Sequence, residues 1–337
     1  MSLLYKEIKK LIFDLKSHSS TTENDFNVLA INVFNHQFQH NAIYNKYVLS
    51  LKVNPATITH YTQIPFLPIE FFKTKLVVCD EVSKNAVCYT SSGTTGQITS
   101  KHYVNDISIY EHSFNKGFED FYGKPSDYCI LALLPNYLER TGSSLVYMFN
   151  KLIEKTNHPL SGFYLHNLND LVKTIDDLKR RNQKTILLGV TYALLDLADM
   201  NAELADNFIV IETGGMKGRR KEMLKEELHY YLKEQFKVSS IHSEYGMTEL
   251  LSQAYAKQNG LFECPPWMKV LIRDINDPFS YVPQQKSGGV NVIDLANLNS
   301  CSFIETKDLG KIVQDCYFEI LGRFDNSDIR GCNLMVQ

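Results

Sequence analysis

Near the N-terminus, Leu4, Ile8, Leu11, Ile12 and Leu15 recur on one face of a 3.6-residue period with charges between them, which predicts an amphipathic helix. Residues 2–50 read as mostly helical, after which Pro55, Pro65 and Pro68 break the pattern into an extended connector. From about residue 76 the period changes. Short apolar runs, VVCD (77–80), AVCYT (86–90), YCILALL (128–134), FYLH (163–166), TILLGV (185–190), FIVIE (208–212) and VSSIH (238–242), alternate with helical patterns near 106–121, 143–155, 168–181 and 219–236. Apolar strands separated by helices predict βαβ units and a mainly parallel sheet. Beyond residue 250 helical patterns nearly vanish. SQAYA, MKVLIRD, GGVNVIDL, SFIETKD and YFEILGRFD predict a small antiparallel sheet or barrel instead. The expected fold class is therefore α/β, with a helical N-terminal part and connector over 1–75, a sheet region over 76–249, a β-rich region over 250–324 and a short tail over 325–337.

Loops that do chemistry on such a sheet sit at the C-terminal ends of its strands. Three polar loops fall there: SSGTTG (91–96) after AVCYT, GGMKG (214–218) after FIVIE, and YGMTE (245–249) after SSIH. The first is filled by Ser, Gly and Thr alone. Backbone N–H groups and hydroxyls in such a loop can surround a polyphosphate, with Gly93 and Gly96 letting the chain pass close to it. It is not a P-loop, because no GxxxxGK[ST] string occurs in the chain. Taken alone, the run reads equally as a flexible linker.

Taken in order and spacing, SSGTTG, YGMTE, ETKDLG (305–310) and LGRFD (321–325) resemble the core motifs of the adenylate-forming superfamily, which activates carboxylic acids with ATP. The segments IPFLPIEFFK (64–73) and ETGGMKGRR (212–220) bring the resemblance closest to the LuxE-like acyl-protein synthetase branch, related to phenylacetate-CoA ligase. The resemblance implies an adenylating core and two cofactors, ATP and Mg²⁺. Ser91, Ser92, Thr94 and Thr95 would bond the β- and γ-phosphates between Gly93 and Gly96. Thr248 would reach the α-phosphate and Glu249 would hold magnesium, a hard carboxylate oxygen on a hard cation. Tyr245, followed by Gly246, would offer a face to adenine, and Gly214, Gly215 and Met216 would put bare backbone against the purine edge. Asp308 would accept both ribose hydroxyls, Arg323 would approach the ribose or phosphate, and Asp325 would mark the interdomain hinge. Each has a local rival. Thr248 and Glu249 suit a first helical turn, Tyr245 a core aromatic, Asp308 a turn, and Arg323 with Asp325 a solvated pair.

Departures from the family pattern change the picture. Gln97, Ile98, Thr99 and Ser100 stand before Lys101 where many relatives follow the loop with Pro-Lys. Few residues follow Asp325, so the mobile C-terminal domain and its catalytic lysine are expected to be absent. Lys217 and Lys101 are the candidate substitutes, and the basic cluster Lys217, Arg219 and Arg220 reads equally as a solvated helix entry. By the same resemblance Cys332, beside Arg330, would take the acyl group before passing it to an acceptor protein, a reductase or a carrier. The alternatives are an ATP-independent acyltransferase working through Cys332 and a non-catalytic nucleotide-binding subunit.

Composition narrows the partners. A net charge of −3 over 337 residues gives no electrostatic reason to expect nucleic acid. Seven cysteines without a CxxC pair suggest a reducing, cytoplasmic setting rather than zinc or disulfides. No apolar run approaches the roughly 20 residues that span a bilayer. Leu134, Pro135, Asn136, Tyr137, residues 143–145 and Gly189 to Tyr192 end strands on the same side and are candidates to line an acyl pocket, with fatty and aryl acids both open. His166 and His242 read as structural, because a carboxylate substrate is already ionised and needs no base.

Overall fold

The computed structural model describes residues 3–14, 22–91, 98–135, 142–214 and 223–324. The chain divides into two compact units, one formed by residues 1–82 with 266–337 and the other by 83–265. These limits differ from the sequence-based 75/76 and 249/250 because the N-terminal helices pack with the C-terminal β-rich segment.

The first unit begins with α1 (Leu3–Asp14), α2 (Glu23–His40) and α3 (Ala42–Ser50), followed by a two-residue strand β1 (Leu67–Pro68) and a short helix α4 (Phe71–Thr74). Thr22 and Asp25 form a reciprocal capping box that starts α2. Asn41 accepts from the Ile43 and Tyr44 amides to start α3. VVCD is not a strand. Instead Cys79 donates its amide to Asn299 O and Asp80 to His40 O at the end of α2, so the segment is held by single bonds and pairs with no strand among the described residues.

The second unit opens with a hairpin, β2 (Val87–Thr90) and β3 (Lys101–Val104), then α5 (Ile107–Tyr122). After it come β4 (Cys129–Leu133), α6 (Ser144–Thr156), β5 (Gly162–Phe163), α7 (Leu168–Arg180), β6 (Thr185–Gly189), α8 (Thr191–Ala198), β7 (Phe208–Glu212), α9 (Lys225–Phe236) and β8 (Ile241–Tyr245). Strands β5, β4, β6, β7 and β8 lie side by side in parallel. Two antiparallel strands, β9 (Ala254–Ala256) and β10 (Phe262–Glu263), extend the sheet beyond β8. All of β4 and β6 is buried, as expected for a sheet with helices on its faces. FIVIE forms β7 over its full predicted span. The strand predicted at VSSIH lies three residues later, with its end at Tyr245, which places the polar Glu244 inside the sheet. Helix α8 was not predicted: it is buried almost all round, so it has no polar face to reveal its period.

The first unit resumes with β11 (Met268–Arg273), β12 (Gly288–Asp294), β13 (Phe303–Gln314) and β14 (Tyr317–Arg323), an antiparallel sheet in sequence order, with β1 pairing β13 in parallel. Its link to the N-terminal helices is polar and fully buried. Gln37 Nε2 donates to Asn297 O at 3.0 Å and to Ser302 Oγ at 3.0 Å, while its Oε1 accepts from the Ser302 amide. Around it Phe34, Tyr44, Phe66 and Phe303 close the core with ring contacts. No helix among the described residues is long and apolar enough to cross a membrane.

Candidate active site

In the second unit, β7 and β8 end side by side in parallel, and the described stem of the Ser/Gly/Thr loop is bonded to the turn that follows β8. Thr90 pairs with Lys101 at the end of the hairpin, and beyond it Ser91 and Ser100 close the loop stem, the Ser100 amide donating to Ser91 Oγ at 2.9 Å. Lys101 is exposed there. One pair further down, the buried His102 bonds the Thr248 carbonyl through Nδ1 at 2.8 Å. The stem of the Ser/Gly/Thr loop is thus tied to the backbone of the YGMTE loop. That loop does not open a helix: Thr248 and Glu249 lie in a turn, Thr248 half-buried and Glu249 buried. Ser92, Gly93, Thr94, Thr95 and Gly96 lie outside the described residues, as do Gly215, Met216, Lys217, Asp325 and Cys332.

Pairing of Glu212 with Ser243 brings Gly214 and Tyr245 to the ends of adjacent strands. Tyr245 is buried and meets Phe262 edge-on at 5.9 Å. A Cβ on Gly214 would meet no described atom within 4 Å. Gly246 is different. A Cβ there would stand 2.6 Å from Glu244 Oε1, so the carboxyl group folds against bare backbone at the loop entrance.

Two buried carboxyl groups lie beneath this edge. Glu212 Oε1 is 3.0 Å from Lys225 Nζ, accepts from Ser243 Oγ at 3.1 Å and lies 3.7 Å from His229 Nε2, and Thr191 Oγ1 donates to its other oxygen. Burial alone would raise its pKa, but Lys225 and His229 overcome this and hold it at about 2. Glu244 accepts a 2.6 Å bond from Thr213 Oγ1. Burial pushes it up, the Thr213 bond opposes this, the charge of Glu212 adds to it, and it stands at about 7.

In the first unit, Asp308 and Arg323 face each other across β13 and β14, with Arg323 Nε 3.1 Å from Asp308 Oδ1. Asp308 is buried and the Arg323 side chain is largely exposed. Their position depends on a bulge. Gly289 pairs with Leu309 and Asn291 with Glu305, so residues 306–308 stand against Val290 alone. The guanidinium of buried Arg273 fills the gap, donating to Val290 O at 3.0 Å, Asn291 Oδ1 at 3.0 Å and Thr306 O at 2.8 Å. Thr306 Oγ1 in turn donates to Val290 O and accepts from the Asp308 amide at 3.1 Å. A Cβ at Gly289 would lie 2.3 Å from Arg273 Cζ, so the glycine is what admits the cation.

Residues 3–337 match the model of a family described as acyl-protein synthetase, LuxE. The chain belongs to the LuxE acyl-protein synthetase family. Solved structures similar to this LuxE-family chain are adenylate-forming ligases. An open conformation of 2-hydroxyisobutyryl-CoA ligase in complex with 2-HIB-AMP and CoA superposes with a TM-score of 0.68 at 11% identity, over 93% of this chain and 75% of that one. The same ligase in its postadenylation state gives 0.69 at 13% identity, over 90% and 68%. ATP-bound MatB from Rhodopseudomonas palustris gives 0.51 at 19% identity, over 70% of this chain and 47% of that one, so the chain spans about half of MatB's length. At these identities the likeness establishes the fold. No curated protein matched the sequence.

Glu212, Glu244, Thr213 and Arg273 were not singled out from the LuxE-family sequence. Glu212 had a visible signal, a carboxylate closing an apolar strand. Glu244 and Arg273 carried none, because what distinguishes them is a partner brought in by a neighbouring strand.

Proposed function

We propose that this chain activates a carboxylic acid with ATP and passes the acyl group to a thiol. A carboxylate oxygen bonds the α-phosphorus, the bond to the β-phosphate oxygen breaks, and pyrophosphate leaves. A thiolate then attacks the acyl carbon of the mixed anhydride and AMP leaves. Carrying the reading is the His102–Thr248 bond, which joins the stem of the Ser/Gly/Thr loop to the loop of Thr248 and Glu249 at the end of a parallel sheet. The second observation in its favour is the bulge that fixes Asp308 beside Arg323.

In this reading Ser91 to Gly96 bind the outer phosphates, Thr248 the α-phosphate, Tyr245 with Gly214 to Met216 the base, and Asp308 with Arg323 the ribose. Lys217 is the candidate cation for the charge that develops on phosphorus. Among the described residues no group of three or more His, Cys, Asp or Glu is gathered for a metal. The one carboxylate of Glu249 suits a magnesium ion whose remaining ligands are phosphate oxygens and water. Such an ion would supply charge neutralisation. Cys332 is the proposed acceptor, and a cytoplasmic reductase or carrier protein the partner to which the acyl group passes.

Intact-mass measurement after incubation with ATP, magnesium and a mixed acid pool tests the proposal. We expect one acyl increment, dependent on ATP, removed by neutral hydroxylamine and lost in Cys332→Ser. An increment that forms from acyl-CoA without nucleotide would contradict it.

A further inference from the structure

The face of β8 and β9 behind Tyr245 is polar where an alkyl chain would want it apolar. His242 and Glu244 are two apart on β8 and share that face. Tyr255 of β9 stands directly opposite Glu244 in the antiparallel register, which sets their Cβ atoms about 5 Å apart. Tyr122, from the end of α5, stacks on His242 with ring centroids 5.7 Å apart and meets Tyr255 edge-on at 5.3 Å. Phe121 also packs against Tyr255, with ring centroids 5.1 Å apart.

Two of the polar groups are provided for. Tyr122 OH lies 3.3 Å from His242 Nδ1, and Glu244 receives Thr213 Oγ1. Tyr255 is not. Its ring is 1% exposed, and its hydroxyl is buried with no hydrogen-bond partner among the described residues. A buried hydroxyl left this way is destabilising, which a fold does not carry without a reason. The position supplies one. Strand β8 runs straight into the loop of Thr248 and Glu249, and at about 3.3 Å per residue Glu244 and His242 lie within about 10 Å of its start.

We propose that the face carrying Glu244 and Tyr255 recognises a hydroxyl group on the chain of the acid that is activated. This rests on the adenylating reading above, and adds to it that the substrate chain runs from the Thr248 loop back along β8. A single hydroxyl satisfies both residues: its hydrogen is donated to the Glu244 carboxyl while its oxygen accepts from the Tyr255 phenol. A plain alkyl chain leaves the Tyr255 hydroxyl without a partner, and a site of this kind discriminates against the analogue that lacks the group. Thr213, through its bond to Glu244, is a positioning residue.

The test compares alkanoic acids of increasing length with their hydroxy-substituted counterparts, by acid-dependent exchange of labelled pyrophosphate into ATP. Tyr255→Phe is the informative variant, because it deletes the hydroxyl and keeps the ring contacts. We expect kcat/KM for at least one hydroxy acid to exceed that of its parent by about tenfold or more, and Tyr255→Phe to erase most of that ratio. A ratio of one or below in the wild type, or one that Tyr255→Phe leaves unmoved, would overturn the proposal and mark the cluster as a structural water site. Calorimetric binding of the same acid pairs to the full chain keeps the two readings apart. Absence of exchange with every acid would defeat the adenylating reading, whereas equal affinity within every pair would defeat the hydroxyl subsite whether or not exchange occurs.

Discussion

Each unit of this chain buries charge near a proposed ligand, and they do so in opposite ways. Around the β12–β13 bulge the buried group is a cation, Arg273, whose guanidinium donates to two backbone carbonyls and a side-chain amide. At the edge of the parallel sheet the buried groups are the anions Glu212 and Glu244, of which, among the described residues, only Glu212 has a cation at bonding distance. Beside Glu244 stands the Tyr255 hydroxyl, which has no hydrogen-bond partner among the described residues. A buried charge bonded on several sides builds structure. A cluster with an orphaned polar atom is fitted for something that arrives later.

Removing the cation from the first unit should have the largest effect. Arg273→Met takes the guanidinium donor from Thr306 O and Asn291 Oδ1 and the cation from Glu305, 3.5 Å away, and should cost about 3–5 kcal/mol in denaturant unfolding. Arg273→Lys keeps the charge but not the fork, and should fold while losing discrimination between ATP and 2′-deoxy-ATP as Asp308 shifts. Unchanged discrimination would mean that the bulge does not position the aspartate.

The carboxyl pair should show itself in the pH dependence of stability. Glu244 holds its proton to about 7 in the folded chain but releases it near 4.5 when unfolded. The folded state therefore binds more protons between these values, and stability falls as pH rises through that window, by on the order of 3 kcal/mol. Glu244→Gln should flatten the decline. Glu212 acts in the other sense: its contribution is present above about 4.5 and is lost as pH falls toward about 2. Identical pH profiles for wild type and Glu244→Gln would contradict the assignment.

The smallest effect is expected for a charge pair that resembles Arg273 only on paper. Lys311 and Glu319 face each other across β13 and β14 at 3.0 Å, partly exposed. Lys311→Ala should change stability by about 0.2–1 kcal/mol. A loss comparable with that of Arg273→Met would remove the distinction between satisfied burial and surface pairing.

Legibility from sequence followed the range of the interactions. Strand β7 was readable over its full span because an apolar run is a local signal. Asp308 and Arg323 were each singled out by motif, but their pairing across β13 and β14 was not, because the rival reading paired Arg323 with Asp325. What escaped was nonlocal. Arg273 looks like an ordinary strand residue until the bulge opposite it is seen. Glu244 looks like one polar position in an alternating strand until Thr213 and Tyr255 are placed beside it. Helix α8 offered no amphipathic period, and VVCD had strand composition without a strand to pair with.

The most direct test of the account is acid-dependent exchange of labelled pyrophosphate into ATP, in the wild type and in one variant from each unit, Glu249→Ala and Asp308→Ala. The account predicts exchange in the wild type and at least a hundredfold loss, on the order expected for removing an electrostatic contact to the reacting nucleotide, in both variants. Full exchange in either folded variant would contradict it.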